Sequence, residues 1–132
     1  MLNDREQAVL HANQAFYDAF IDNDYAAMAA LWASAREVTV IHPGWAPLFG
    51  QRAVLDSWQR ILGGTGRNRM QCTSPRAFLG ADLAFVICTE TFPEGELVAT
   101  NVFVLEDATW KMVHHQSGPQ TAAGGERAGP LH

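Results

Sequence analysis

The sequence is short of several features that would place it quickly. It holds two cysteines, Cys72 and Cys88, in 132 residues. They lack metal-site spacing, and a chain of this length builds a core without a disulfide staple, so reduced structural thiols are expected. Nine basic residues stand against fourteen acids, for a net charge of −5, and apart from GRNR at 66–69 they are scattered. No face is expected to neutralise a phosphate backbone, which argues against nucleic acid as a partner. No apolar run approaches the ~20 residues that cross a bilayer. The opening MLNDREQAVL lacks the basic start and apolar centre of a secretory signal, so the expectation is a cytoplasmic protein without a membrane partner. The glycine-dense LGGTGR follows a helix pattern where a phosphate loop would precede one. No nucleophile elbow surrounds Ser117 or either cysteine. Neither a metal nor a cofactor is expected: His42, His114 and Glu90 would converge on an ion only in a deep pocket with the right register.

What is present reads as one domain, long enough to bury roughly two-thirds of its unfolded surface. From Asn3 to Asp22, Val9, Ala12, Phe16, Ala19 and Phe20 recur at three- and four-residue steps, which predicts an amphipathic helix. DNDYAAMAALWA predicts a second, capped by Asp22 or Asp24, with Tyr25, Met28, Leu31 and Trp32 on its apolar stripe. In EVTVIHPGWAPLFG the period changes to two; Pro43 holds His42 extended and ends a strand, and a loop runs on to Gly50. QRAVLDSWQRILGG is a third helix, stopped by Gly63 and Gly64. MQCTSPRAFLG, ADLAFVICTETF, ELVATNVFVLED and TWKMVHHQSG then alternate as strands of an antiparallel meander joined by short turns. The glycine- and alanine-rich stretch from 118 to 132 reads as a flexible tail beyond a domain spanning 1–117.

Three helices before a curved, mostly antiparallel sheet give an α+β architecture with the helices on one sheet face and a pocket between the layers. The other face, if apolar, needs a cover, most economically a second copy of the chain. A homodimer through the outer sheet face is therefore expected.

The order of elements, with AFYDAFIDNDYAAMAALWA, VIHPGW, LFGQRAVLDSWQRIL and the terminal WKMVHHQSG, resembles the SnoaL-like domains of the nuclear transport factor two-like superfamily over about residues 5–118. The closing word is also similar to the end of the calcium/calmodulin-dependent kinase association domain. The resemblance implies a cone: a bent sheet wrapped around helices, enclosing a pocket and dimerising through its outer face. It does not imply one reaction, because isomerases, dehydratases, cyclases and oligomerisation modules share the shape, so function rests on the site.

Counting back from two-residue turns at Glu94–Gly95 and Asp107–Ala108 puts Val86, Cys88, Glu90, Asn101, Phe103, Trp110, Met112 and His114 on the pocket face. Ile87, Thr89, Thr100, Val102, Val113, His115 and Ser117 fall on the other. His114 and His115 then point apart and do not act as a pair. His114 is a candidate acid or base, oriented by Asn101 or Glu90; the competing reading is a buried, hydrogen-bonded histidine. His115 is read as an interface residue. His42 sits at a loop over the expected pocket mouth, where function often gathers, and Trp45 beside it suits a lid that stacks on a ligand or merely buries the loop. Trp32, Trp58 and Tyr17 roof the sheet, mostly as core, Tyr17 standing out because its hydroxyl needs a partner. In the steroid isomerase branch a carboxylate base works with a tyrosine and a protonated acid; Glu90 and Tyr17 fit, and no second acid lies on that face.

The candidate catalytic residues are thus His114, Glu90, Tyr17 and His42. The candidate ligand contacts are Trp45, Trp58, Trp32, Asn101, Phe103 and Cys88. The leading expectation is a binder of a small apolar or aromatic molecule. The alternatives are a cofactor-free isomerase, dehydratase or cyclase, and an interaction module without a ligand.

Overall fold

The computed structural model describes residues 3–121. Its first helix, α1 (Asp4–Ile21), opens with a capping box: the Asn3 side chain accepts from the Glu6 backbone and Glu6 accepts from that of Asn3. Asp24, not Asp22, caps α2 (Tyr25–Leu31) through the Ala27 N–H. After β1 (Thr39–Ile41) and β2 (Leu48–Phe49) comes α3 (Gln51–Ile61), which lacks a side-chain cap. The rest is sheet: β3 (Gln71–Leu79), β4 (Leu83–Phe92), β5 (Gly95–Glu106) and β6 (Thr109–Pro119).

The six strands lie in the order β2-β1-β6-β5-β4-β3. The long meander is antiparallel as its alternation predicts. Two features of the sheet differ from the expectation. The stretch read as a continuous loop to Gly50 contains β2, which turns back on β1. β1 itself runs parallel to β6, Val40 lying beside His115. Neither pairing has a local signal: β2 is two residues long, and β1 meets β6 across more than seventy residues of intervening chain.

The three helices pack on one face, where Val9, Phe16, Tyr17, Met28, Val54 and Trp58 meet Val40, Val86, Phe103 and Met112 at 3 % exposure or less. Glu106, at the far end of β5, receives the N–H groups of Ser34 and Ala35 and ties the end of the α2 segment to the sheet.

Register decides which side chains reach the layer between helices and sheet. The β4–β5 turn centres on Pro93 and Glu94, because Phe92 pairs with Gly95. Placing it at Glu94–Gly95 slips the pairing by two residues, which leaves every side chain on its face. The Asp107–Ala108 turn is as expected, with Glu106 opposite Thr109. Further along β6, Phe103 faces Met112 but Val102 faces His114, so Val113 is an extra residue. This bulge reverses the alternation beyond it. His114 therefore points to the outer face and His115 to the inner one, a correction to the assignment drawn from alternation alone.

The last strand also runs to Pro119, opposite Leu97, two residues past the boundary expected at 117. The tail assigned to 118–132 lies, from 122 onward, outside the described residues.

Candidate functional site

Between the helices and the concave side of the sheet is a cavity of about 200 Å³. Phe16, Tyr17 and Phe20 line it from α1, Trp58 and Ile61 from α3, and His42, Pro43 and Trp45 from the loop after β1. Met70, Phe92 and Leu97 complete the apolar wall, and Glu90, His115 and Ser117 supply polar groups from the sheet. An apolar chamber with a few convergent polar groups is the usual form of a small-molecule site. Phe16 anchors the chamber, its ring 4.8 Å from those of Tyr17 and His115 and 5.4 Å from that of Trp58.

The polar groups form a chain of bonds. Tyr17 donates to Glu90 Oε2 at 2.7 Å. The Tyr17 oxygen accepts from Asn101 Nδ2 at 3.1 Å, and the same amide nitrogen donates to Asn13 Oδ1 at 2.8 Å. Asn13 Nδ2 in turn lies 3.6 Å from Cys72 Sγ. On the other side of Asn101, Oδ1 sits 2.5 Å from His115 Nδ1. His115 Nε2 stands 3.9 Å from Glu90 Oε2, an ion-pair distance only if the imidazole carries a proton. Both side chains are almost fully buried, at 4 % and 6 % exposure.

Burial sets the charge states. Desolvation, then the nearby histidines His42 and His114, lower His115 to about 3. Desolvation, then the Arg60 charge, lower His42 to about 4. Glu90 moves the opposite way, raised by desolvation against the hydrogen bonds from Tyr17 and Ser117 that favour its anion. Tyr17 is raised well above its ordinary value by desolvation and by the adjacent Glu90 carboxylate, so it stays a donor. The cavity's two histidines are thus uncharged at neutral pH, beside a carboxyl group whose proton is held more tightly than usual.

Of the residues the sequence singles out, Glu90, Tyr17, His42, Trp45 and Trp58 line this cavity. His42 is clamped between Trp45 and Trp58, both 4.7 Å from its ring, with Nε2 2.9 Å from Ser57 Oγ. Trp45, 38 % exposed, lies at the mouth with the Arg60 guanidinium 5.4 Å over its ring. Four other candidates stand outside the wall. Asn101 lies behind it, as does Cys88, whose sulfur is 3.3 Å from the Tyr17 hydroxyl. Phe103 is deep core, and Trp32 ends α2 against Met112.

His114 is absent from the cavity because of the Val113 bulge; its Nδ1 bonds Thr39 Oγ1 at 2.6 Å on the neighbouring strand. His115 and Ser117 take the places expected for it. Two supporting residues were not singled out at all. Ser57 carries no motif. Asn13 has a legible signal: it falls on the stripe Val9, Phe16, Tyr17 and Phe20, and a polar side chain on a buried helical face needs a partner. Among the described residues, no group of three or more histidines, cysteines or acids is placed to hold a metal ion.

Residues 9–121 match the family model for the SnoaL-like domain. This chain belongs to the SnoaL-like family. The SnoaL-like chain is also similar to two solved structures that resolve its fold. One is a candidate dehydratase of the nuclear transport factor two-like family from Streptomyces avermitilis, 30% identical, with a TM-score of 0.82 over 89% of this chain and 97% of that one. The other is a candidate calcium/calmodulin-dependent protein kinase type II association domain from Thiobacillus denitrificans, 36% identical, with a TM-score of 0.74 over 83% and 93% of the two chains. Among curated proteins it is 29% identical over 113 residues to F-box protein SKIP8 of Arabidopsis thaliana, covering 84% of this chain. The chain spans 49% of that relative's length. These likenesses carry the SnoaL-like cone with its three helices and bent sheet, while among the described residues no helix is long and apolar enough to cross a membrane.

Proposed function

We propose that this SnoaL-like domain binds a small, largely apolar or aromatic molecule inside its cone and does so as a homodimer. The observation that carries the binding reading is the cavity: aromatic walls from α1 and α3, with Glu90, His115, His42 and Tyr17 gathered on it. A chamber kept only by packing would not need four titratable groups on its lining, each at a cost of desolvation. Trp58 and Phe16 supply contact area, and Trp45 covers the mouth. The dimer reading is supported by the outer sheet face, where Leu83, Ile87 and Val98 stand exposed, and by the likeness to an association domain.

The test is a thermal-shift screen against aromatic acids, phenols and steroid-like ketones. A ligand at about 100 times its dissociation constant adds ~2.7 kcal/mol to stability, a rise of several degrees for a domain of this size. Absence of any shift across a diverse set leaves the interaction module as the better reading.

A second reading is favoured by one specific feature. His115 Nε2 and Glu90 stand 3.9 Å apart, an uncharged base beside a carboxyl group whose proton burial holds more tightly than usual, a pairing suited to cofactor-free proton transfer. Glu90 also lies within hydrogen-bond reach of Tyr17, and the Streptomyces avermitilis relative carries a dehydratase description. Under this reading His115 or Glu90 moves the proton, with Tyr17 holding Glu90 through its hydroxyl and His42 beside them as a further polar group. Turnover of a ligand found in the screen decides between enzyme and binder.

A further inference from the structure

The two cavity histidines each have one ring nitrogen committed to a protein partner, and the chemistry of that partner fixes where the proton sits. Tyr17 spends its only hydrogen on Glu90 Oε2, so its oxygen can take only donors. The Asn101 atom 3.1 Å from it is therefore the NH₂ nitrogen. That nitrogen also reaches Asn13 Oδ1, and the Asn13 NH₂ lies 3.6 Å from Cys72 Sγ. With Asn101 so oriented, the atom facing His115 Nδ1 is the carbonyl oxygen, an acceptor. His115 must donate from Nδ1, which leaves the lone pair on Nε2.

His42 follows the same logic with the opposite outcome. The Ser57 hydroxyl donates to the Val54 carbonyl at 2.6 Å, so its oxygen can only accept from His42 Nε2 at 2.9 Å. The lone pair of His42 is then on Nδ1. Because burial keeps both rings unprotonated near neutral pH, each ring has one nitrogen that can only accept.

We propose that Asn13, acting through Asn101, is a positioning residue that holds His115 as an acceptor, and that the cavity consequently selects a ligand by a hydroxyl it donates: a phenol or alcohol on an apolar body. The inference rests on the binding reading above and narrows it. A ketone or ether of the same shape brings no hydrogen to the His115 lone pair and leaves it unpaired. A carboxylate meets neutral rings and the Glu90 carboxyl group inside the cavity, while the nearby cation, Arg60, lies over Trp45 and is not part of the wall. The hydroxyl satisfies His115 and keeps its oxygen free to accept.

Two measurements on the full chain test this. Long-range nitrogen–proton correlation spectra of histidine-labelled protein report tautomers directly. The expected result for His115 is a pyrrole-like Nδ1 and a pyridine-like Nε2, and the reverse pattern would overturn the proposal before any ligand is added. In Asn13→Leu the second tautomer of His115 should appear; an unchanged tautomer would remove Asn13 from the account even if the variant is less stable. Titration with para-cresol, para-methylanisole and para-methylacetophenone then reads selectivity. One hydrogen bond of ~1 kcal/mol corresponds to the cresol binding about fivefold more tightly than the ether or ketone, with that preference lost in Asn13→Leu. Equal or tighter binding of ether or ketone overturns the donor rule while leaving the pocket as a binding site. No binding by any of the three overturns the rule together with the binding reading.

Discussion

At the scale of single residues, position on the sheet outweighs identity. His114 and His115 are the same side chain one residue apart, yet one bonds Thr39 on the outer side and the other completes the polar chain to Asn101 and faces Glu90. His115→Gln is expected to abolish the thermal shift given by a cavity ligand, whereas His114→Gln should leave it intact. The buried rings also predict the acid response. His115 and His42 take up protons near pH 6.5 when unfolded but only near pH 3 and 4 when folded. Between those values the unfolded state binds more protons, so their contribution is complete above pH 6.5 and is lost as pH falls. Each ring that stays neutral costs about 2 kcal/mol between pH 7 and 5. Glu90, raised by burial, works with the opposite sign, being most favourable when protonated. Urea unfolding at the two pH values should show the loss, and His115→Gln should remove close to one proton from the slope.

At the scale of elements, turns and bulges control the site more than strand propensity does. The β5–β6 turn places Asp107 at φ 52° and Ala108 at φ 64°, the double left-handed geometry of the tight hairpin that favours glycine at its second position. A Cβ at Ala108 is strained there, so Ala108→Gly should stabilise the protein by about 0.5–1 kcal/mol in urea unfolding, with the register unchanged. A loss of stability would show that the side chain does more than tolerate the turn. The Val113 bulge has the larger functional effect, since it is the extra residue that sets His115 and not His114 opposite Asn101; deleting Val113 should keep those pairings and leave His115 on the inner face. At the edge of the sheet, β3 carries a further irregularity between Thr73 and Arg76, with Ser74 at φ 54° and Pro75 beside it. Such a break blunts an edge that would otherwise pair with another chain.

At the scale of the molecule, the sheet has two apolar faces and one set of helices. The inner face is covered by α1 and α3. The outer face presents Leu83, Ile87 and Val98 at 46 %, 41 % and 38 % exposure, beside the stacked pair Phe78 and Phe85. The proposed dimer seam lies there, so Ile87→Lys combined with Val98→Lys should convert a species of twice 14.5 kDa into one of 14.5 kDa in sedimentation while far-ultraviolet circular dichroism is kept. A wild-type protein that sediments as a single chain at micromolar concentration sinks the dimer reading.

The helices, the four long strands and the α+β class are legible in the chain's residue pattern, because each is a local periodicity that the chain cannot satisfy in another element. Part of the cavity wall was legible too, in Tyr17, His42, Trp45, Trp58 and Glu90: an aromatic at a helical step, such as Trp58, reaches the core whatever the sheet register. The two-residue slip at the β4–β5 turn did no harm for the same reason, since period two preserves the face. Which histidine enters the cavity is set by packing, because a single extra residue at Val113 reverses a face and carries no sequence mark. Packing alone paired β1 with β6 across the chain, and it alone joined Asn13, Asn101, His115, Tyr17 and Glu90. Those contacts connect residues up to 88 positions apart, and a hydrogen-bond partner at that separation is chosen by packing, which no local pattern encodes.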